Sequence, residues 1–288
     1  MRTGIYADYK LYKGKQFYKK RLKTTPRVIA FDLDETLGSF TDLEILWSGL
    51  QDFSDDNCPV SFNNLLDLYP EFLRYGIIPI LEYLIEKKKT GECGSIYIYT
   101  NNQCEPNWVD LISQYLNYKL KVKGNIFNQI ISAFKINNRR VEPSRTTHSK
   151  TYPDFIRCTL LPKNTEIFFL DNANYPEMKQ GRVYYIQPKS YIHHLSTNDI
   201  IHRFVSSKLR LTLPNATTET IQTHLLTYFI SRDTYNTGNP RIRDLETDIL
   251  VAQKIMYHLR DFFYIANKLA RTKKKRQRLG RSTRKLII

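Results

Sequence analysis

The sequence of 288 residues lacks a long uninterrupted apolar run. No stretch approaches the roughly 18 to 20 apolar residues that cross a bilayer. Residues 1–23 are rich in Lys and Tyr and contain no apolar core of a secretion signal. We therefore expect a protein that has no membrane partner and is not secreted, and that acts in the cytoplasm or nucleus.

Cysteine is also scarce, with four residues that show no Cys-x-x-Cys spacing: Cys58, Cys93, Cys104 and Cys158. That pattern indicates neither a zinc site nor a redox pair. Unpaired thiols of this kind are typical of a reducing compartment.

The net charge of +16 is concentrated at the two ends of the chain. Residues 1–27 hold nine Lys or Arg against one Asp, residues 268–288 hold ten against no acid, and the intervening residues are nearly neutral. Such ends are suited to nucleic acid or another polyanion, and tyrosines among the N-terminal lysines are compatible with base stacking. A solvated tail or a nuclear-localisation segment would have the same composition.

Short β-branched and aromatic runs alternate with helical patterns along the middle of the chain. The runs predict strands at 27–33, 95–99, 128–132, 165–170 and 182–187, and apolar spacing predicts helices at 79–89, 108–120 and 244–269. This alternation predicts an α/β fold with a doubly wound, mostly parallel sheet. Residues 1–25 lack periodicity and are interpreted as an arm.

Polar residues follow three of the predicted strands. They are Asp32 and Asp34 after the first, Thr100 after the second, and Asp171 with Asn172 after the fourth. An acid after a strand is often only a turn residue or a helix cap. Because the carboxyl ends of parallel strands meet at one edge of a sheet, the combination indicates a site.

These residues carry a resemblance to a known family. The sequence DLDETL at 32–37 resembles the first motif of haloacid dehalogenase (HAD) superfamily phosphatases, and most resembles the FCP/SCP-like branch that dephosphorylates the polymerase C-terminal domain. Thr100, Lys150 and the pair Asp171-Asn172 match the second, third and fourth motifs in order. The resemblance covers about residues 27–190.

The resemblance implies a role for each matching residue. Asp32 would be the nucleophile that forms an aspartyl-phosphate, and Asp34 the general acid and base. Thr100, Asn101 and Lys150 would bind the phosphate. The implied cofactor is Mg²⁺, held by the Asp32 carboxylate, the Asp34 carbonyl, Asn172 and the supporting acid Asp171; oxygen ligands without His or Cys suit this ion.

The implied organisation is a basic aromatic arm at 1–26, a HAD-like Rossmannoid domain at 27–197 with small inserted elements, a helical extension at 198–270 and a basic tail at 271–288. The expected function is Mg²⁺-dependent hydrolysis of phosphoserine or phosphothreonine on a protein. Two alternatives stay open at this stage. One is a nucleic-acid end phosphatase, and the other is a catalytically idle HAD fold with a structural or nucleic-acid-binding role, which in a virus would place it in the virion.

Overall fold

The computed structural model describes residues 2–5, 8–18, 25–53, 60–104, 107–213, 216–232 and 244–283, with side chains given for 8–16 and then for the described residues from 25 to 264. Within them the chain forms a mixed α/β fold around one large sheet. This confirms the α/β prediction at the level of a mostly parallel central sheet, and the finer family-level description remains a proposal.

The sheet has seven strands in the described residues. They are β1 (Arg2–Ile5), β2 (Tyr9–Lys13), β3 (Arg27–Phe31), β4 (Ser95–Tyr99), β5 (Gln129–Ile131), β8 (Glu166–Leu170) and β9 (Val183–Pro188). Their order across the sheet is β1-β2-β9-β8-β3-β4-β5. The five strands from β9 to β5 run parallel, whereas β2 and β1 continue the sheet antiparallel. A separate hairpin pairs β6 (Lys135–Ile136) with β7 (Arg139–Arg140).

Eight α-helices surround the sheet in the described residues. They are α1 (Thr41–Gln51), α2 (Phe62–Leu68), α3 (Ile77–Lys89), α4 (Trp108–Lys119), α5 (Tyr152–Thr159), α6 (Thr197–Ser206), α7 (Thr218–Ser231) and α8 (Leu245–Thr283). None of these helices combines the length and the apolar character that a bilayer crossing needs.

The sheet is buried on both faces because its parallel strands carry apolar side chains in both directions. One face, which includes Ile29 and Phe31, packs in a large core against all the helices except α5. The other face, which includes Val28 and Ala30, packs against α5 in a smaller core. The connections from β3 to β4 and from β5 to β8 therefore pass over opposite faces, and β3 lies where the winding reverses.

Two expectations about the chain ends are corrected by the structure. Residues 2–5 and 9–13, expected to be irregular, are strands β1 and β2, and Tyr9 is buried in the core rather than free to stack on a base. At the other end α8 extends through Thr283, well past the expected helix end at 269 and into the basic segment. The remaining parts of the basic ends, at 1, 6–7, 19–24 and 284–288, lie outside the described residues.

Candidate active site

The sheet ladder brings three polar strand ends to the same edge. The backbone N–H of Asp32 donates to Leu170 O at 2.9 Å, and that of Asp171 donates to Ile186 O at 3.2 Å. On the other side of β3, the Thr100 N–H donates to Ile131 O at 3.0 Å. Each residue thus continues its strand by one ladder position, so the three side chains are fixed by the register of the sheet.

A buried lysine joins two of these strand ends. Lys150 Nζ donates to Asp171 Oδ2 at 2.7 Å and also to Asp32 Oδ1. All three side chains are withdrawn from water, with residue exposures of 1% for Lys150, 7% for Asp32 and 0% for Asp171. Buried charges of this kind are tolerated only when the opposite charges lie close together and are hydrogen-bonded.

The charges in this cluster shift one another's protonation. Burial alone would lower the pKa of Lys150, but the Asp171 and Asp32 carboxylates outweigh it and raise the pKa. Burial raises the pKa of Asp171, with Lys150 opposing the rise and Asp32 adding to it. Lys150 therefore holds its proton, and it serves as the fixed positive charge of the site.

Lys150 is placed by the strand and helix on either side of it. It directly precedes Thr151, the N-cap of α5, whose side chain accepts from Asp154 N at 3.1 Å. The Thr151 N–H in turn donates to the hydroxyl of Tyr99, the last residue of β4, at 3.1 Å. This contact ties the lysine segment to the sheet edge next to Thr100.

Asp34 lies in the same cleft but has a different environment. Its Oδ2 accepts a hydrogen bond from Asn102 Nδ2 at 3.0 Å. Burial raises its pKa to about 6; the Asn102 hydrogen bond opposes this rise, and the nearby Asp32 charge adds to it. A carboxyl that titrates near neutral pH can both give and take a proton, as a general acid and base must.

The turn after β3 is held by a buried arginine. Glu35 adopts a left-handed backbone with φ of 56°, and its N–H donates to Gly38 O at 2.7 Å. The Arg74 guanidinium donates to Thr36 O at 2.6 Å, to Glu35 O at 2.5 Å and to Lys189 O at 2.9 Å. A non-glycine residue in this conformation costs free energy, and the surrounding hydrogen bonds maintain it.

A second buried arginine, Arg145, holds the loop after β4. Its guanidinium donates to Thr100 O at 2.9 Å and to Asn101 Oδ1 at 2.7 Å, and it also reaches the carbonyls of His148 and Ser149 at 3.1 and 3.3 Å. Arg145 is fully buried. It therefore links the segment that carries Thr100 and Asn101 to the segment that carries Lys150.

Thr100 and Asn101 are already engaged by neighbouring groups. Thr100 Oγ1 accepts from the Asn102 N–H at 2.9 Å, and Asn101 Nδ2 donates to Tyr175 OH at 3.0 Å. The Thr100 hydroxyl keeps its proton free to donate, because it acts only as an acceptor in that contact.

Asn172 is turned away from Lys150. Its Oδ1 accepts from Thr36 Oγ1 at 2.9 Å, and its Nδ2 donates to Glu35 Oε2 at 3.0 Å and to Ser190 Oγ at 3.1 Å. An amide oxygen has two lone pairs, so Oδ1 can accept one further ligand. Of the expected site residues, Asn172 contacts the turn after β3 rather than the buried lysine cluster.

The residues at this edge fit a hard divalent cation by charge and by donor type. The site holds one lysine, Lys150, for three carboxyl groups, those of Asp32, Asp34 and Asp171, which leaves an excess of negative charge. The available ligand atoms are carboxylate, amide and carbonyl oxygens, which suit such an ion. Within the described residues, no group of three or more His, Cys, Asp or Glu side chains is arranged to hold a metal ion. The proposed ligand set differs from such a group because it includes an amide and a backbone carbonyl.

No family model, no curated protein and no solved structure matches the chain. The proposed function accordingly rests on the geometry of the site itself.

Sequence reasoning missed three residues that shape the site. Arg74 and Arg145 carried no signal, because a lone arginine in a loop looks like a surface residue until the fold buries it. Asn102 follows Thr100 by two positions, and a polar residue just after a strand end could have been included on that ground alone.

Proposed function

We propose that this chain is a phosphomonoester hydrolase that transfers the phosphoryl group of its substrate to Asp32. The observation that carries the proposal is the buried Lys150, which pairs with both Asp32 and Asp171 at adjacent strand ends. Burying a cation with two acids carries a large desolvation penalty, so such a cluster is weak evidence of a purely stabilising role. Phosphoryl transfer needs a fixed positive charge of this kind beside an oxygen nucleophile.

The proposed reaction has two steps. A carboxylate oxygen of Asp32 attacks phosphorus, the bond from phosphorus to the leaving oxygen breaks, and Asp34 gives that oxygen a proton. Asp34, now a carboxylate, takes a proton from water as the water oxygen attacks phosphorus. The bond between phosphorus and the Asp32 oxygen breaks, which releases phosphate and restores the Asp32 carboxylate. A pKa of about 6 for Asp34 supports both roles, since the protonated and ionised forms are both accessible near neutral pH.

Negative charge on the transferred group would be balanced by three donors from the protein. Lys150 supplies the fixed charge, and the Thr100 hydroxyl and the Asn101 backbone N–H supply hydrogen bonds at the end of β4. Donors that are held in place before the reaction lose little energy to reorganisation. The hydrogen bonds of Arg145 to Thr100 O and Asn101 Oδ1 support this arrangement.

We further propose Mg²⁺ as the cofactor. The Asp32 carboxylate, the Asp34 carbonyl and the Asn172 amide oxygen would hold it, with Asp171 supporting them. When bound, the ion would offset repulsion between the carboxylates and the phosphate dianion.

The proposed substrate is phosphoserine or phosphothreonine on a protein. The nucleic-acid end phosphatase is the competing substrate class. The same Asp32 chemistry would act on either phosphate, so a generic aryl phosphate tests the step that the two classes share.

Purified protein is assayed for hydrolysis of an aryl phosphate with Mg²⁺ or with a chelator. We expect metal-dependent turnover that Asp32→Asn abolishes, whereas Asp110→Asn, at an exposed position on α4, retains it. Mass spectrometry of acid-quenched protein should find a phosphoryl group on Asp32. Equal rates for wild type and Asp32→Asn would refute the proposed nucleophile, and absence of turnover in folded protein with Mg²⁺ would favour the idle-fold alternative.

A further inference from the structure

A cavity of about 630 Å³ lies beside the candidate active site. Its walls come from α1, α4 and α7, and the lining includes Glu44, Trp47, Trp108, Tyr228 and Arg232. The helix α7 belongs to the C-terminal extension, outside the part of the chain that carries the sequence motifs.

One asparagine connects this cavity to the proposed acid and base. Asn102 Nδ2 donates to Asp34 Oδ2 at 3.0 Å, and Asn102 Oδ1 accepts from the backbone N–H of Cys104 at 3.0 Å. Cys104 and its neighbour Gln103 line the cavity. Because Asp34 would protonate the leaving oxygen, the remainder of the substrate would extend from the phosphate towards this side.

The charges of the cavity favour a cation over a phosphate. Among the described lining residues, Glu44 and Asp52 contribute two carboxylates, and Arg232 contributes one positive charge that is engaged with Tyr228 OH at 3.1 Å. Burial raises the pKa of the Cys104 thiol to about 11, and the negative charges of Glu44 and Asp34 add to this rise. A nucleic-acid strand would bring further phosphates next to these acids.

The aromatic lining suits a long basic side chain. Trp47 offers ring surface for the methylene groups of Lys or Arg, and a cation near such a ring is attracted to it. Trp108 is only 2% exposed, and the Arg232 guanidinium already lies 5.3 Å from the centroid of the Tyr228 ring. Glu44 is half-buried, and its Oε1 accepts from Ser48 Oγ at 3.1 Å, which fixes the carboxylate within the cavity wall.

We propose that this cavity binds a basic side chain of a substrate protein close to the phosphorylated residue. This inference rests on the proposed phosphatase function, and it selects phosphoprotein over nucleic acid as the substrate class. Because Asn102 contacts both Asp34 and the cavity segment at Cys104, the basic residue would lie at one of the nearest positions to the phosphorylated serine or threonine.

Peptide binding tests the proposal independently of turnover. Fluorescein-labelled phosphoserine peptides that carry Lys, Gln or Glu at each of the nearest positions are titrated with full-length Asp32→Asn protein, and anisotropy gives Kd. We expect the best Lys peptide to bind about fivefold more tightly than its Gln counterpart, as for a partly exposed charge pair. The chain's net charge of +16 would by itself favour the Glu peptide, so a Lys preference must have a local origin.

Matched variants locate that preference. Glu44→Gln should reduce it to less than about twofold, whereas Glu82→Gln, which makes the same charge change at an exposed position on α3, should retain it. The two tryptophans of the chain, Trp47 and Trp108, both line the cavity, so intrinsic fluorescence should change on binding of the Lys peptide.

The outcomes separate this proposal from the phosphatase proposal. Absence of a Lys preference, or a preference that Glu44→Gln leaves intact, overturns the assignment of the cavity even if aryl phosphate is hydrolysed. A Glu44-dependent preference without hydrolysis by wild type supports the peptide site and refutes the phosphatase. Tighter binding of a terminally phosphorylated oligonucleotide that Arg232→Gln weakens overturns the choice of substrate class.

Discussion

Replacement of Lys150 by Met should destabilise the protein strongly, because it removes the shared cation of two buried carboxylates. Lys150 is 1% exposed, Asp32 7% and Asp171 0%, so water cannot replace the lost charge. Breaking a buried ion pair by removing one partner costs about 3 to 5 kcal/mol. That is a large part of the roughly 5 to 15 kcal/mol by which folded domains are stable.

The assay is urea unfolding of Lys150→Met in a buffer with a chelator, followed by circular dichroism and tryptophan fluorescence. With a slope of about 3 kcal/mol per molar, the midpoint should fall by about 1 to 2 M. The double variant Lys150→Met/Asp171→Asn should recover part of this loss, because a neutral amide needs no counter-charge. In the unmodified protein the Ala173 N–H donates to Asp171 Oδ1 at 2.9 Å, and an asparagine oxygen can accept the same hydrogen bond.

A surface pair provides the control. Lys89 Nζ lies 2.6 Å from Glu86 Oε1, with side chains 66% and 64% exposed, and Lys89→Met should cost less than about 1 kcal/mol. A loss of stability for Lys150→Met as small as that for Lys89→Met would contradict the prediction, as would a double variant in which Asp171→Asn adds its own full loss.

Three further predictions concern other parts of the molecule. Arg145→Met should lower both stability and the turnover of aryl phosphate, and Arg145→Lys should not restore turnover because one ammonium cannot reach all the carbonyls that the guanidinium binds. Gly76→Ala should lower the free energy of unfolding in urea by over about 2 kcal/mol, because Gly76 has a φ of +76° and an added Cβ would lie 2.7 Å from the Ala252 Cβ. Gly91 has a similar φ of +70°, but an added Cβ there meets nothing within 4 Å, so Gly91→Ala should cost about 1 kcal/mol. Burial lowers the pKa of His258 to about 4, so the folded state binds a proton at His258 less readily than the unfolded state does. As the pH is lowered from 7 to 5, the free energy of unfolding should therefore fall by about 2 kcal/mol more in wild type than in His258→Asn.

Much of the sheet could be predicted because its central strands are continuous apolar runs that end in polar residues. β4 was predicted with its observed bounds, and β3, β8 and β9 to within about two residues, which is the usual uncertainty of an element end. The grouping of Asp32 and Asp171 also follows from the parallel order, since β3 and β8 end at one edge of the sheet. Lys150 joins them from the segment just before α5, which the strand pattern does not place. The catalytic roles of these residues remain a prediction.

Other features could not be predicted because they depend on contacts between distant residues. β2 is five residues long, and it gains its place by pairing with β9, about 175 positions further along the chain. The cavity beside Asp34 needs α1 and α7 to pack against each other, and nothing in either helix alone indicates a pocket. Arg145 is a buried clamp only because the loops that it joins are brought together by the sheet.

The position of β3 between β4 and β8 has a consequence for synthesis on the ribosome. Arg27 pairs with Glu166, so one edge of the central strand has no partner until about 140 more residues have been made. At about 5 to 20 residues per second, this takes roughly 7 to 28 s. During that interval the emerging chain holds an apolar strand with an open edge, and for most of it Asp32 has no lysine. Open strand edges favour aggregation, so we expect chaperones to bind the nascent chain.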